Sequence, residues 1–141
     1  MSRADSVFER YAAYHRNATN KAIHWVCVPL IVWSLLGMLW AASPYAAYAA
    51  IVLAMAFYLR LSLPIAVGML VMLVAMAYAL TLLGSQVLAV SAGVFVVAWI
   101  GQFIGHAVEG RRPAFFEDIR SLLVGPAWVL GEMYRRLGIA Y

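Results

Sequence analysis

The chain has three histidines, His15, His24 and His106. Imidazole suits Fe, Zn, Cu and Ni, and three neutral ring nitrogens on one divalent ion leave positions open for substrate or oxygen. Around them lie further groups able to do chemistry. Gln102, His106 and Glu109 stand at i−4, i and i+3, so a helix would carry them on one face, with Trp99 close to it. Glu109 suits three roles: a further ligand, a carboxylate that orients a ring nitrogen, or the ion-pair partner of Arg111 or Arg112. Asn17 and Asn20 precede the first apolar stretch. Asn20 is the expected helix N-cap, with active-site hydrogen bonding as its other role. Any one of the histidines alone is explained as a hydrogen-bonded structural residue; the metal reading rests on the three together.

Whether they meet depends on the elements that carry them. Of sixteen charged residues only Arg60 lies between Ala22 and Val108. A water-soluble surface does not tolerate so long an uncharged run, whereas hydrocarbon demands it, a central charge costing roughly 2.5–3.5 kcal/mol. The expected fold is therefore an all-α membrane protein, a single domain over 1–141 with four transmembrane helices and amphipathic N- and C-terminal helices. The spans fall at about 23–42, 45–59, 61–83 and 87–105, separated by Ser43-Pro44, Arg60 and Gly84-Ser85-Gln86. The second is short, and a re-entrant hairpin of the second and third is the alternative to two crossings.

The interfacial helices are expected at about 4–16 and 119–137. Phe8, Tyr11 and His15 recur at i, i+3 and i+7 in the first, while Gly125-Pro126 splits the second into a helix pair. Gly101 and Gly105 form a GxxxG step that lets helices approach closely, and Pro29 frees a carbonyl in the first span. Cys27 lies in an apolar run and reads as a buried core thiol. The first 21 residues lack the apolar core of a cleavable signal peptide.

Four crossings return the chain to its starting side. All ten Lys and Arg then share one face, including Arg3, Lys21, Arg60, Arg111 and Arg112, while the opposite turns hold none. The positive-inside rule makes that face, with both termini, cytoplasmic. The same even count puts His15, His24 and His106 at one depth on that face. The basic residues form no stripe interleaved with aromatics, which argues against nucleic acid as a partner.

Two segments resemble a known family. Tyr11-Ala-Ala-Tyr14-His15-Arg-Asn17-x-x-Asn20-x-x-x-His24, followed by Val28-Pro29, is similar to its opening motif. Trp99-Ile-Gly-Gln102-Phe-Ile-Gly105-His106-Ala-Val-Glu109-Gly-Arg-Arg112-Pro113-Ala is similar to its closing motif. The family is one of small multi-span membrane proteins typified by the fungal endoplasmic-reticulum dioxygenase that shortens 2-hydroxy fatty acids during phytosphingosine breakdown. The resemblance implies Fe(II)-dependent α-oxidation, in which a 2-hydroxy fatty acid and O2 give an acid one carbon shorter. It implies His15, His24 and His106 as the iron ligands. This chain departs from the fungal pattern in the step from His106 to Arg111-Arg112-Pro113, and Gly84-Ser85-Gln86 lacks a further histidine. A fourth protein ligand would then be Glu109.

The functional expectation joins both lines. Substrate chelates iron through carboxylate and 2-hydroxyl, and its tail lies between apolar spans. Arg111 or Arg112 holds the second carboxylate oxygen, Asn20 and Gln102 line the substrate, and Glu109 or Tyr11 moves a proton. Partners are the bilayer, the 2-hydroxy fatty acid and O2, with a homo-oligomer left open. The Ala-, Val- and Leu-rich spans point to a bacterial inner membrane. The rival readings are a non-catalytic scaffold or lipid-binding module and a small b-type haem protein. A transporter is disfavoured because no ionisable group lies near mid-bilayer.

Overall fold

Two serines set the spacing of the first three long helices. Ser43 and Ser62 sit in extended conformation, each ending one helix and capping the next, with Oγ accepting from Tyr45 N (3.2 Å) and Ile65 N (3.4 Å). A proline follows each in the first turn, where its missing N–H removes nothing from the helix. One residue therefore suffices to reverse the chain. The computed structural model describes residues 3–112 and 120–141, and the described residues form α1 (Arg3–Ala12), α2 (Ala18–Ala42), α3 (Pro44–Leu61), α4 (Leu63–Thr81), a 3-10 turn (Gly84–Gln86), α5 (Val87–Glu109) and α6 (Ser121–Leu137).

Helices α2, α3 and α4, and the stretch Gly84–Glu109, are long and apolar enough to cross a membrane. The shortest, α3, has 18 residues, about 27 Å at 1.5 Å per residue, close to a hydrocarbon core. Their outward faces carry exposed Val52, Leu53, Val71, Val97 and Ile100, as lipid contact requires. The largest helix interface joins α2 to α5, and small residues permit it. Gly37 meets Ser91, a Cβ on Gly101 would stand 2.6 Å from Cys27 Sγ, and one on Gly105 would stand 2.6 Å from Asn20 Oδ1. The expected GxxxG approach is thus made against the first span.

Several boundaries differ from the sequence reading. Helix α2 begins at Ala18, not near 23, because Asn17 rather than Asn20 is the N-cap; Asn17 Oδ1 accepts from Thr19 N (2.9 Å) and Asn20 N (3.3 Å). Helix α1 stops at Ala12, not 16, so His15 lies in the linker to α2 and not on the helix. Helix α5 runs past Gly105 to Glu109. It ends where Gly110 adopts φ 80°, and the N–H groups of Gly110 and Arg111 both donate to His106 O (2.9 and 3.2 Å).

The largest correction concerns the C-terminal segment. Ser121–Leu137 is one continuous helix through Pro126, and Val124 to Gly131 are all buried. An interfacial helix buries one face; the middle of this one is enclosed between α1, α2 and α4, while its last turn leaves Met133 and Leu137 exposed. Gly125 admits the Tyr11 hydroxyl and Val28, a Cβ there meeting both at 3.0 Å, and Gly131 admits Phe8. Tyr58 Oη donates to Leu123 O (2.7 Å), Tyr134 Oη to Pro64 O (2.8 Å) and Arg3 Nη1 to Arg60 O (3.1 Å). Helices α1 and α6 thereby close the end of the bundle that carries the α3–α4 turn. Pro113 and its neighbours, and Ile119 at the expected start of the C-terminal helix, lie outside the described residues.

Candidate functional site

A polar latch fixes the register between the starts and ends of α2 and α5. Glu109 Oε1 accepts from Asn17 N (2.7 Å) and from Asn20 Nδ2 (3.3 Å), so a carboxylate sits at the positive N-terminus of α2. Asn20 Nδ2 also donates to Tyr14 O (3.2 Å), tying in the linker. Glu109 is not ion-paired to Arg111 or Arg112. Arg111 instead lies over the Tyr14 ring (4.3 Å) and donates from Nη1 to Ala13 O (3.4 Å), and Arg112 is exposed. Trp99 joins an aromatic ladder along α5 with Phe95 and Phe103.

The latch brings the three histidines into one cluster. His15 and His24 have ring centroids 4.4 Å apart, and His15 and His106 are 4.8 Å apart, both edge to face. The three are 3, 0 and 2 % exposed. His24 stands one turn beyond Asn20 on α2, His106 one turn beyond Gln102 on α5, and both amide residues are buried. Tyr11, buried on α1, stacks on His15 (4.8 Å), and its Oη is 2.6 Å from His24 Nε2.

Trp128 on α6 completes the enclosure, with its ring 4.9 Å from His24, 5.2 Å from His15 and 5.4 Å from Tyr11. Sequence reasoning missed it. A tryptophan in a weakly amphipathic helix carries no signal of its partners, which lie more than a hundred residues away.

Hydrogen bonding decides which ring atoms are free. His15 Nδ1 faces the Tyr11 carbonyl at 3.3 Å. A carbonyl only accepts, so Nδ1 carries the proton and Nε2 keeps its lone pair. Among the described residues, His15 Nε2, His24 Nδ1, Asn20 Oδ1, Gln102 Oε1 and both ring nitrogens of His106 are buried without a well-formed hydrogen bond. Orphaned buried polar atoms are rare and destabilising by about 1–3 kcal/mol each, so the cluster is the candidate site of this fold.

Burial, reinforced by His106, holds the His15 imidazole down at about 4, partly offset by its bond to Tyr11 and by the Glu109 carboxylate. His15 is therefore neutral at pH 7, the form that donates to a metal. Burial also pushes the Tyr11 hydroxyl upward, so it stays a phenol: a proton donor, not a base. The atoms available to a metal ion are His15 Nε2, one nitrogen of His106, and His24 Nδ1 in the tautomer whose Nε2–H donates to Tyr11 Oη. Among the described residues no group of three or more His, Cys, Asp or Glu is arranged as it stands to hold a metal ion. The rings pack edge to face instead.

One cavity reaches this region, and a groove lies farther along the bundle. The cavity, polar and of about 390 Å³, is lined by Glu9, His15, Arg16, Lys21, Trp128 and Glu132, with Ala12 and Ala13. The groove, apolar and of about 310 Å³, runs along α2 and α3, past Val32, Leu36, Leu39, Ala50, Ala54 and Tyr58.

Four apolar candidate spans with a buried imidazole cluster beside their charged end define the class, a helical membrane protein. The chain belongs to the family described as Mpo1-like 2-hydroxy-palmitic acid dioxygenase, whose sequence profile matches residues 1–137. It is 34% identical over 139 residues to the 2-hydroxy-palmitic acid dioxygenase MPO1 of Saccharomyces cerevisiae, covering 91% of this chain and 78% of the yeast protein. No solved structure matches the chain.

Proposed function

We propose that the protein is an Fe(II)-dependent dioxygenase that shortens 2-hydroxy fatty acids by one carbon at the cytoplasmic face of its membrane, C1 leaving as CO2. In the overall reaction a 2-hydroxy acid and O2 give the acid one carbon shorter, CO2 and water. The convergence of three buried imidazoles with unpartnered nitrogens carries this reading, and family membership supplies the substrate class and oxidant. His15, His24 and His106 would hold a ferrous ion, which would supply the redox partner for O2 and a charge-compensating seat for the 2-hydroxy carboxylate.

The residues divide the remaining work. His15 presents Nε2 because its other nitrogen is fixed on the Tyr11 carbonyl. Tyr11 holds the His24 ring through its hydroxyl and keeps a proton to give. Asn20 Oδ1 and Gln102 Oε1 are free acceptors, matched to the one donor a 2-hydroxy acid carries, its hydroxyl. Trp128 shields the cluster from water. Glu109, engaged at the N-terminus of α2, acts by holding that geometry rather than by ligation. The lysine and arginines gathered at this end argue for the cytoplasmic side. Direct ring contact between the imidazoles leaves no gap for a porphyrin, which counts against the haem alternative.

Purified protein supplied with Fe(II), O2 and 2-hydroxypalmitate is expected to yield pentadecanoate and CO2. Absence of chain shortening with iron demonstrably bound removes this substrate class.

The apolar groove suits the tail. Val32 lies eight residues beyond His24, about 12 Å along the helix, and the groove continues toward Leu39 and Ala50 at the far end. Ala50→Phe is expected to fill that end. Turnover of 2-hydroxypalmitate should fall about tenfold, the worth of two methylenes at about 0.8 kcal/mol each, while 2-hydroxydecanoate is handled as before. Equal loss for both acids places the tail elsewhere.

A further inference from the structure

The polar cavity holds a cation whose position the reaction above does not use. Lys21 is three residues before His24, on the same face of α2, and its ammonium lies 5.5 Å over the ring of Trp128, which in turn packs on His15 and His24. His15, Lys21, Trp128 and Glu132 line one cavity. Lys21 Nζ is 3.0 Å from Glu132 Oε2, and the other oxygen of Glu132 is 3.8 Å from Arg135 Nη1. Glu132 thus has a second cation ready to keep it if Lys21 lets go. The arginines expected to bind a carboxylate are placed differently: Arg111 is spread over Tyr14 and bonded to Ala13 O, outside this cavity.

We infer that Lys21 receives the carboxylate of the acyl substrate, with Glu132 acting as an exchangeable internal carboxylate that holds the ammonium in place until substrate arrives. The inference rests on the 2-hydroxy acid reading and names the residue that recognises the acid group. An ammonium over an indole ring is held by its stem and by the ring face, so it stays put when its anionic partner changes. Exchange of one carboxylate for another keeps Lys21 paired with a single carboxylate. It asks Glu132 only to settle on Arg135, one helical turn away.

The test is anaerobic equilibrium binding of 2-hydroxypalmitate and of its primary amide to the full chain in nanodiscs, with empty nanodiscs subtracted. Lys21→Gln is expected to weaken the acid by roughly tenfold or more and to leave the amide unchanged, as loss of a charge-assisted contact requires. Lys21→Arg should stay within a few-fold of wild type. Glu132→Gln should tighten the acid, because the competing carboxylate is gone. A purely structural ion pair would shift both variants in the same direction. The inference is overturned if Lys21→Gln binds the acid as wild type does, if it loses acid and amide equally, or if Glu132→Gln weakens the acid. It is also overturned if Arg16→Gln, at the other cation of the cavity, carries the loss. Wild-type protein that binds neither compound overturns the 2-hydroxy acid reading itself, and this inference with it.

Discussion

Replacing His106 by alanine is expected to strip iron from the protein and to lower α-oxidation at least roughly a hundredfold while the metal-free fold stands unchanged. Both ring nitrogens of His106 are buried and neither makes a well-formed hydrogen bond. Truncation therefore removes no well-formed hydrogen bond, only the ring's weaker approach to the Arg111 backbone and the Glu109 carboxylate, and it relieves two poorly satisfied buried atoms worth about 1–3 kcal/mol each. Against this stands the cavity left by the ring, of similar size and opposite sign. The two offset, so the metal-free Tm should barely move. His24→Ala differs, because it also deprives the Tyr11 hydroxyl of its 2.6 Å partner inside the bundle. A ligand that binds only the folded state at 100 times its Kd stabilises by about 2.7 kcal/mol, so Fe(II) should raise the Tm of wild type and not of His106→Ala. Metal analysis of anaerobically purified protein and paired melting curves read this without any turnover assay. Full iron occupancy in His106→Ala, or a Tm rise on iron addition equal to wild type, would show that His106 is no ligand.

Much of the fold is written in the distribution of charge. One arginine in the run from Ala22 to Val108 marks four candidate membrane spans, and an even number of antiparallel helices places His15, His24 and His106 at the same end. That step needs only chain parity, so the sequence suffices for it. It does not suffice for Asn17 and Asn20, two equally good caps three residues apart. The choice falls on Asn17 because Asn20 Nδ2 is held by Tyr14 O and Glu109, partners brought by the linker and by α5, in an orientation that leaves its Oδ1 without a backbone N–H. Tertiary hydrogen bonds settle what local preference leaves open.

His15 misled in a similar way. Its spacing from Phe8 and Tyr11 is helical, yet the chain leaves the helix after Ala12 so that the ring can turn back onto Tyr11 and meet His24. Helix α6 was the hardest element to read. Gly125-Pro126 signals a break in isolation, but here Gly125 makes room for Tyr11 and Val28, and packing on three helices holds the turn through the proline. Trp128, Lys21 and Glu132 acquire their meaning only from that docking. Basic residues near a membrane are plentiful, and only the side-chain placement separates Lys21, in the cavity, from Arg111, which clasps the linker.

Gly105→Ala is expected to destabilise the protein by about 1–3 kcal/mol, the usual penalty for overpacking, and to lower turnover strongly for a change of one methyl group. The new Cβ would stand 2.6 Å from Asn20 Oδ1 and 3.4 Å from Ile23 Cγ2. A free side chain would swing aside. Asn20 cannot, because it is fully buried and its Nδ2 is held by both Tyr14 O and Glu109 Oε1. Either the amide breaks from its partners or α5 moves off α2, and each outcome disturbs the same three groups. Asn20 is one turn from His24, Tyr14 adjoins His15, and Glu109 is one turn from His106. A wedge at Gly105 thus acts on the mutual placement of all three imidazoles without touching one. The double variant Asn20→Ala, Gly105→Ala separates clash from any other effect. Removing the amide makes room for the methyl, so the two changes should couple, with Gly105→Ala costing at least about 1 kcal/mol less in the Asn20→Ala background than in wild type. Melting curves of the four proteins give that cycle directly. Strict additivity would mean that the α2–α5 crossing is not set by contact between Gly105 and Asn20, and that the spacing of the histidines is held from elsewhere.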